Sequence, residues 1–154
     1  MIDASSSHFD PLIGAMCVAA SSVFAFLLST LEESLKAYHR AELFAKIKPE
    51  RHASYEGLLK READYFVAIR FARATTYLTC LFGYLVLFSG SLKAYEYIAL
   101  FEAMGATLGT AILFSTVLPD VIAGHWAEGA VRVLLPLFSK LLLPFSPLVA
   151  LTRA

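Results

Sequence analysis

The sequence predicts an all-α membrane protein with three transmembrane helices, a cytoplasmic juxtamembrane helical hairpin and a C-terminal interfacial helix. Three observations predict it. The chain is 58% hydrophobic with a mean hydropathy of +0.64, against roughly 45–50% apolar residues in soluble domains. Its apolar residues fall in runs of about twenty, the length a helix needs to cross a hydrocarbon core roughly 30 Å thick. Its charges are gathered instead of scattered, with seven Lys/Arg and seven Asp/Glu between Glu32 and Asp64. The 154 residues amount to one domain. A net charge of zero argues against a nucleic-acid partner, which calls for a basic face.

The elements follow in order. MIDASSSHFD carries two aspartates and no Lys or Arg, so it lacks the basic n-region of a signal peptide. LIGAMC around Cys17 faintly resembles a lipoprotein cleavage box, but Met16 is too bulky for that processing. The first apolar run, Leu12–Leu31, is therefore read as a retained span that stops at Glu32-Glu33. ESLKAYHRAELFAKIK then reads as a helix ending before Pro49, with Leu35, His39, Leu43 and Ile47 on one face. His52–Asp64 reads as a second short helix, so the hairpin occupies about 33–64. The second span covers about 66–88, with Arg70 and Arg73 near its start. The turn SGSLKAY leads to a third span over about 97–118, closed by Pro119. The last apolar stretch, about 130–151, carries Arg132 and Lys140 and is interrupted by Pro136, Pro144 and Pro147. Three prolines disfavour a continuous spanning helix, so an interfacial helix lying along the membrane is preferred to a fourth span.

Basic residues set the expected orientation. The 32–64 segment holds seven Lys/Arg, the N-terminal segment none, and the 89–96 turn only Lys93. The positive-inside rule then places the N-terminus outside and both the long loop and the C-terminus in the cytoplasm. The expected location is a bacterial plasma (inner) membrane, crossed several times.

Helices in lipid associate through small and polar residues, because apolar burial gives little advantage there. Ala15, Ala19, Ser22 and Ser29 share a face of the first span; Thr76, Thr79, Cys80 and Gly83 share one on the second. The third carries Gly105-x-x-x-Gly109, followed by Ile112 and Thr116, a pattern for close packing within the bundle or across a dimer. A second reading has Ser29, Thr75 and Thr116 lining a polar cavity at the cytoplasmic ends. Hydroxyls and carbonyls freed by Pro119 are hard oxygen ligands for a small cation. Arg70 and Arg73 would lie about 6 Å and 10 Å into the membrane at about 1.5 Å per residue. A charge at the depth of Arg73 faces the bundle or a wet cavity, with Glu32 and Glu33 as partners at the same membrane face. Glu102, near the outer surface, reads as solvated. No Ser/His/Asp order, phosphate loop or Cys/His metal pattern is present. An enzyme is therefore not expected, and Cys17 and Cys80 read as small packing residues. His125 and Trp126 fall where interfacial rings are ordinary.

Four stretches together resemble the transmembrane domain of the CNNM/CorC magnesium transporters, also known as haemolysin-like proteins. LLSTLEESLKAYHR resembles the family's F-S-G-S-E-T-A-L-x-x-x-x-R, and DYFVAIRFARATTYL its R-F-L-A-x-I-L-I-G-N-T-L-x-N. FSTVLPDVIAGHWAEGAV resembles F-G-E-x-x-P-K-x-I-A-x-x-x-P-E-x-x-A, and SPLVALTR the closing Y-P-L-V-x-L-x-x. The likeness is one of pattern and covers roughly Leu12 to Leu151. It implies a dimer, homomeric or formed with a related domain, and Mg²⁺ as the transported ion with no cofactor. It also implies a following cytoplasmic CBS pair, absent from this chain.

Departures from the pattern fall on the implied ion ligands. Ser29, Glu32 and Pro119 are kept, but Leu31 replaces the second serine and Arg73-Ala74 the Gly-Asn pair. Leu78 stands for the later Asn, Thr116 for the motif glutamate and Asp120 for its lysine. The candidate ion-site positions are thus Ser29, Glu32, Arg73, Thr75, Thr116 and Pro119, and Arg73 is expected where the cation would sit, paired with Glu32. Two functions follow: a divalent-cation transporter with its own activity in doubt, or a non-transporting paralogue serving as heterodimer partner or scaffold.

Overall fold

The computed structural model describes residues 11–89 and 96–141. The readings of the N-terminal ten residues, of the turn at 90–95 and of the stretch beyond Leu141, with Pro144 and Pro147, lie outside them. The described residues are helical throughout, apart from short connections, and contain no strand. We number the helices α1 (Pro11–Ala37), α2 (Arg40–Ala45), α3 (His52–Leu59), α4 (Glu62–Ser89), α5 (Glu96–Ile112) and α6 (Leu118–Leu141). A 3₁₀ turn at Pro49–Arg51 precedes α3, and a π-helical turn at Leu113–Val117 joins α5 to α6.

Three stretches are long and apolar enough to cross a membrane: Pro11–Ala37, Glu62–Phe88 and Tyr97–Lys140. Side chains such as Leu78 (68% exposed), Tyr97 (81%) and Phe101 (73%) stand on their outer faces. In water that much outward apolar surface would drive aggregation; against acyl chains it carries no penalty.

α1 lies between α4 and α6, and its inward positions step through Gly14, Ser21, Ala25, Leu28, Glu32 and Leu35. The first-span face read from small residues is displaced from this one, since Ala15 and Ala19 are exposed. The closest approach is at the α1–α4 crossing. A Cβ on Gly14 would stand 2.9 Å from the Gly83 carbonyl oxygen, and one on Gly83 2.9 Å from that of Gly14. Gly105 and Gly109 instead face outward, and a Cβ on either would meet nothing within 4 Å. Packing of the GxxxG within the bundle is thereby corrected; its packing across a dimer is a separate matter.

The juxtamembrane segment is more broken than its periodicity predicts. α1 ends at Ala37, His39 is extended (φ −97°, ψ 118°) and α2 lasts six residues. Leu35, Leu43 and Ile47 are buried as expected, but His39 is exposed because the break turns it away. These short helices cap one end of the bundle. Leu43, Ile47, Tyr55 and Leu59 join Leu28, Leu31, Leu35, Ile69, Val131, Leu135 and Phe138 in one apolar core.

The third apolar stretch does not stop at Pro119. It continues to Leu141, with non-helical dihedrals at Trp126 (φ −146°, ψ 34°). The break reverses the chain. Glu128 meets Lys46 at 3.3 Å and the backbone N–H of His39, beyond the end of α1, whereas the Phe138 ring packs tilted against that of Phe24 at 5.8 Å. Residues 127–141 thus run back along α1 instead of lying apart from the bundle, with Pro136 inside the helix. The Trp126 ring covers Gly129, where a Cβ would collide with it, so glycine lets the two halves fold together.

Candidate functional site

Glu32 is the centre of the polar chemistry. It is 3% exposed on the bundle face of α1, one turn below Ser29. Its Oε2 accepts from Arg73 of α4 at 2.8 Å, and its Oε1 lies 3.4 Å from Lys36 and 3.9 Å from Arg70. Lys36 is shared with Glu33 at 2.7 Å. Both carboxylate oxygens therefore face cations. A buried carboxylate requires such partners, since an unpaired charge there would cost several kcal/mol (about 3–5 when one partner is removed).

A hydroxyl relay continues inward from this pair. Arg73 reaches Ser29 Oγ at 3.5 Å, Ser29 Oγ pairs with Ser115 Oγ, and the Tyr77 hydroxyl donates to Ser115. Ser115 sits in the π-helical turn. Inward positions of the third stretch step through Ala103, Thr107 and Thr110, then five residues on to Ser115, the step of a π-helical turn. The relay ties α1, α4 and the π turn together inside the bundle. One turn nearer the far end, Tyr84 and Thr110 bond at 2.7 Å.

Of the predicted positions, Ser29, Glu32 and Arg73 come together. Thr75 does not: its hydroxyl donates to the Phe71 carbonyl at 3.1 Å on an exposed face. Thr116 also points outward, and its neighbour Ser115 takes the inward place. Pro119 is fully buried beside them. Sequence reasoning missed Ser115 and Tyr77. A five-residue step cannot be anticipated from a 3.6-residue period, and nothing in the sequence sets Tyr77 apart from Tyr84 in the same span.

As a cradle for a divalent cation the site fits poorly. Mg²⁺ takes six oxygens in near-octahedral array, usually including one or two carboxylates. Here one carboxylate is present, both its oxygens already face cations, and no group of three His, Cys, Asp or Glu residues stands together among the described residues. One unit charge pair about 4 Å apart is worth about 4 kcal/mol at an effective dielectric near 20, so a dication beside Arg73 would face about twice that.

Comparison with protein-family models, curated proteins and solved structures finds no match to this chain.

Proposed function

We propose that this chain is a membrane domain of CNNM/CorC-like architecture, the divalent-cation transport class it resembles, in which the Arg73 guanidinium takes the cation position. It then loads no Mg²⁺ by itself and acts as the non-transporting partner of a related transmembrane domain, as a heterodimer in a bacterial inner membrane. The supporting observation is the buried Glu32–Arg73 pair at 2.8 Å with Lys36 and Arg70 on the other carboxylate oxygen. An internal cation satisfies the carboxylate that an external one would need. The orientation in this reading is N-terminus outside and C-terminus cytoplasmic.

A second reading, Mg²⁺ efflux by the chain itself, draws on the Ser29–Ser115–Tyr77 relay at a π-helical turn. Such turns recur at functional sites. Efflux would require Glu32 to release Arg73 in each cycle.

Thermal unfolding of the detergent-purified chain, titrated with Mg²⁺ against a Na⁺ control, separates the two. A ligand of the folded state at about 100 times its Kd adds about 2.7 kcal/mol. The expected result is no Mg²⁺-specific rise up to tens of millimolar (on the order of 10 mM and above). A saturable Mg²⁺-specific rise would overturn the internal-cation reading in favour of efflux.

A further inference from the structure

The reversal at Trp126 leaves two recesses side by side. The first is an apolar groove of about 470 Å³ between α1 and the two halves of α6, with Phe26, Leu27 and Val133 among its walls. The second is a polar recess of about 380 Å³ lined by Lys46, Lys48, Arg51, Tyr55 and Arg132, with Ile47 and Val133 as its apolar members. Val133 belongs to both, and it is 52% exposed, so the recesses meet across one side chain.

The polar recess is unbalanced in charge. Four of its lining residues are cations and none is a carboxylate. Glu128 offsets Lys46 at 3.3 Å. Arg132 donates only to the Lys46 carbonyl, at 3.2 Å. Lys48 and Arg51 have no ion pair among the described residues. Three cations thus converge without a counter-charge. The Tyr55 hydroxyl, by donating to the Arg132 carbonyl at 2.7 Å, ties α3 to α6 at this point.

We propose that these joined recesses bind one anionic phospholipid, its phosphate held by Lys48, Arg51 and Arg132 and one acyl chain passing over Val133 into the apolar groove. The proposal takes the three apolar stretches as spanning a bilayer and is independent of what the Glu32 site carries. Charge complementarity selects an anion, because basic recesses at the membrane boundary attract anionic headgroups. The groove selects a lipid anion: an inorganic phosphate or a nucleic acid would leave its walls unfilled. Depth agrees as well. Phe26 lies about 16 Å along α1 from Ala37, at about 1.5 Å per residue, and Lys48 and Arg51 lie in the juxtamembrane segment that caps that end of the bundle.

The test uses the whole chain purified in a neutral detergent. Binding is read by native mass spectrometry and by the shift in unfolding temperature. The probes are dioleoyl phosphatidylglycerol, dioleoyl phosphatidylcholine, deacylated glycerophosphoglycerol and inorganic phosphate. Phosphatidylglycerol is expected to bind and stabilise, phosphatidylcholine much less, and the two chainless probes not at all. Lys48→Gln/Arg51→Gln removes two exposed cations and should weaken phosphatidylglycerol about 30-fold, roughly fivefold per cation near a membrane surface. The charge-keeping Lys48→Arg/Arg51→Lys variant should bind as the parent does, which separates lost charge from lost folding. Equal binding of the two phospholipids, an unchanged affinity in the Gln variant, or equal stabilisation by a chainless probe would each overturn the proposal.

Discussion

Glu32 shows at the scale of one residue how a charge inside an apolar helix is tolerated. It is buried, it meets Arg73 at 2.8 Å, and Arg73 is itself about a quarter exposed (26%). Removing only one member breaks the closest pairing: Glu32 keeps Lys36 and Arg70 at 3.4 and 3.9 Å, whereas Arg73 keeps the Ser29 hydroxyl at 3.5 Å. Glu32→Gln is expected to destabilise the fold by about 3 kcal/mol, and Glu32→Gln/Arg73→Met by clearly less than the two single changes together. A double-mutant cycle on thermal unfolding reads the coupling, and strict additivity would show that the pair is not felt. Arg73→Asn bears on function. It removes the closest of the three cations around Glu32 and leaves Lys36 and Arg70 on the other oxygen, so a Mg²⁺-specific thermal shift larger than the parent's is expected in this variant. Thr30 makes a smaller point at the same scale: its hydroxyl is buried without a partner. Thr30→Val, which keeps the shape, should be neutral or stabilising by about 1 kcal/mol in the same unfolding assay.

Between elements, glycines show where helices touch. Gly14 and Gly83 lie backbone to backbone at the α1–α4 crossing, and an added Cβ would press on a carbonyl oxygen that cannot swing aside. Gly83→Ala should cost about 1–3 kcal/mol by overpacking. Gly105→Ala and Gly109→Ala meet open space, so their effect on the single chain should be small or slightly stabilising, alanine being the better helix former. Comparing unfolding of the three variants in detergent checks this. Loss of a dimer in the Gly105 and Gly109 variants, with the monomer unchanged, would assign that outward face to an interface. The GxxxG motif was readable in the chain; the side of the helix packed against α4 was not. Small residues occur on several faces of each span, and only the neighbouring helix chooses among them.

The whole molecule depends on the reversal at Trp126. It brings Ala130, Val131, Leu135 and Phe138 against the end of α1 and the juxtamembrane helices. That core is shared by residues far apart in the chain, and Phe138 is 1% exposed within it. Phe138→Ala should therefore cost about 3–5 kcal/mol, measured as loss of folded protein on heating or in denaturant. A helix merely resting on the membrane surface would lose almost nothing. The same reversal builds the groove and the basic recess, so both recesses depend on the fold at this point.

Length, apolar run and charge clustering by themselves determined the helical class, three stretches long and apolar enough to span, the charged segment between the first two, and Glu32 and Glu33 as candidate partners of Arg73. These follow from the periodicity and transfer energy of local segments, which each stretch carries alone. Tertiary structure alone decided that Ser115 and not Thr116 faces inward, that Gly14 and Gly83 make the tight crossing, and that the chain turns back at Trp126. Each of these is a choice between faces or directions that the local sequence leaves nearly equal in energy. Packing against a distant helix, felt only after the chain has folded, breaks the tie.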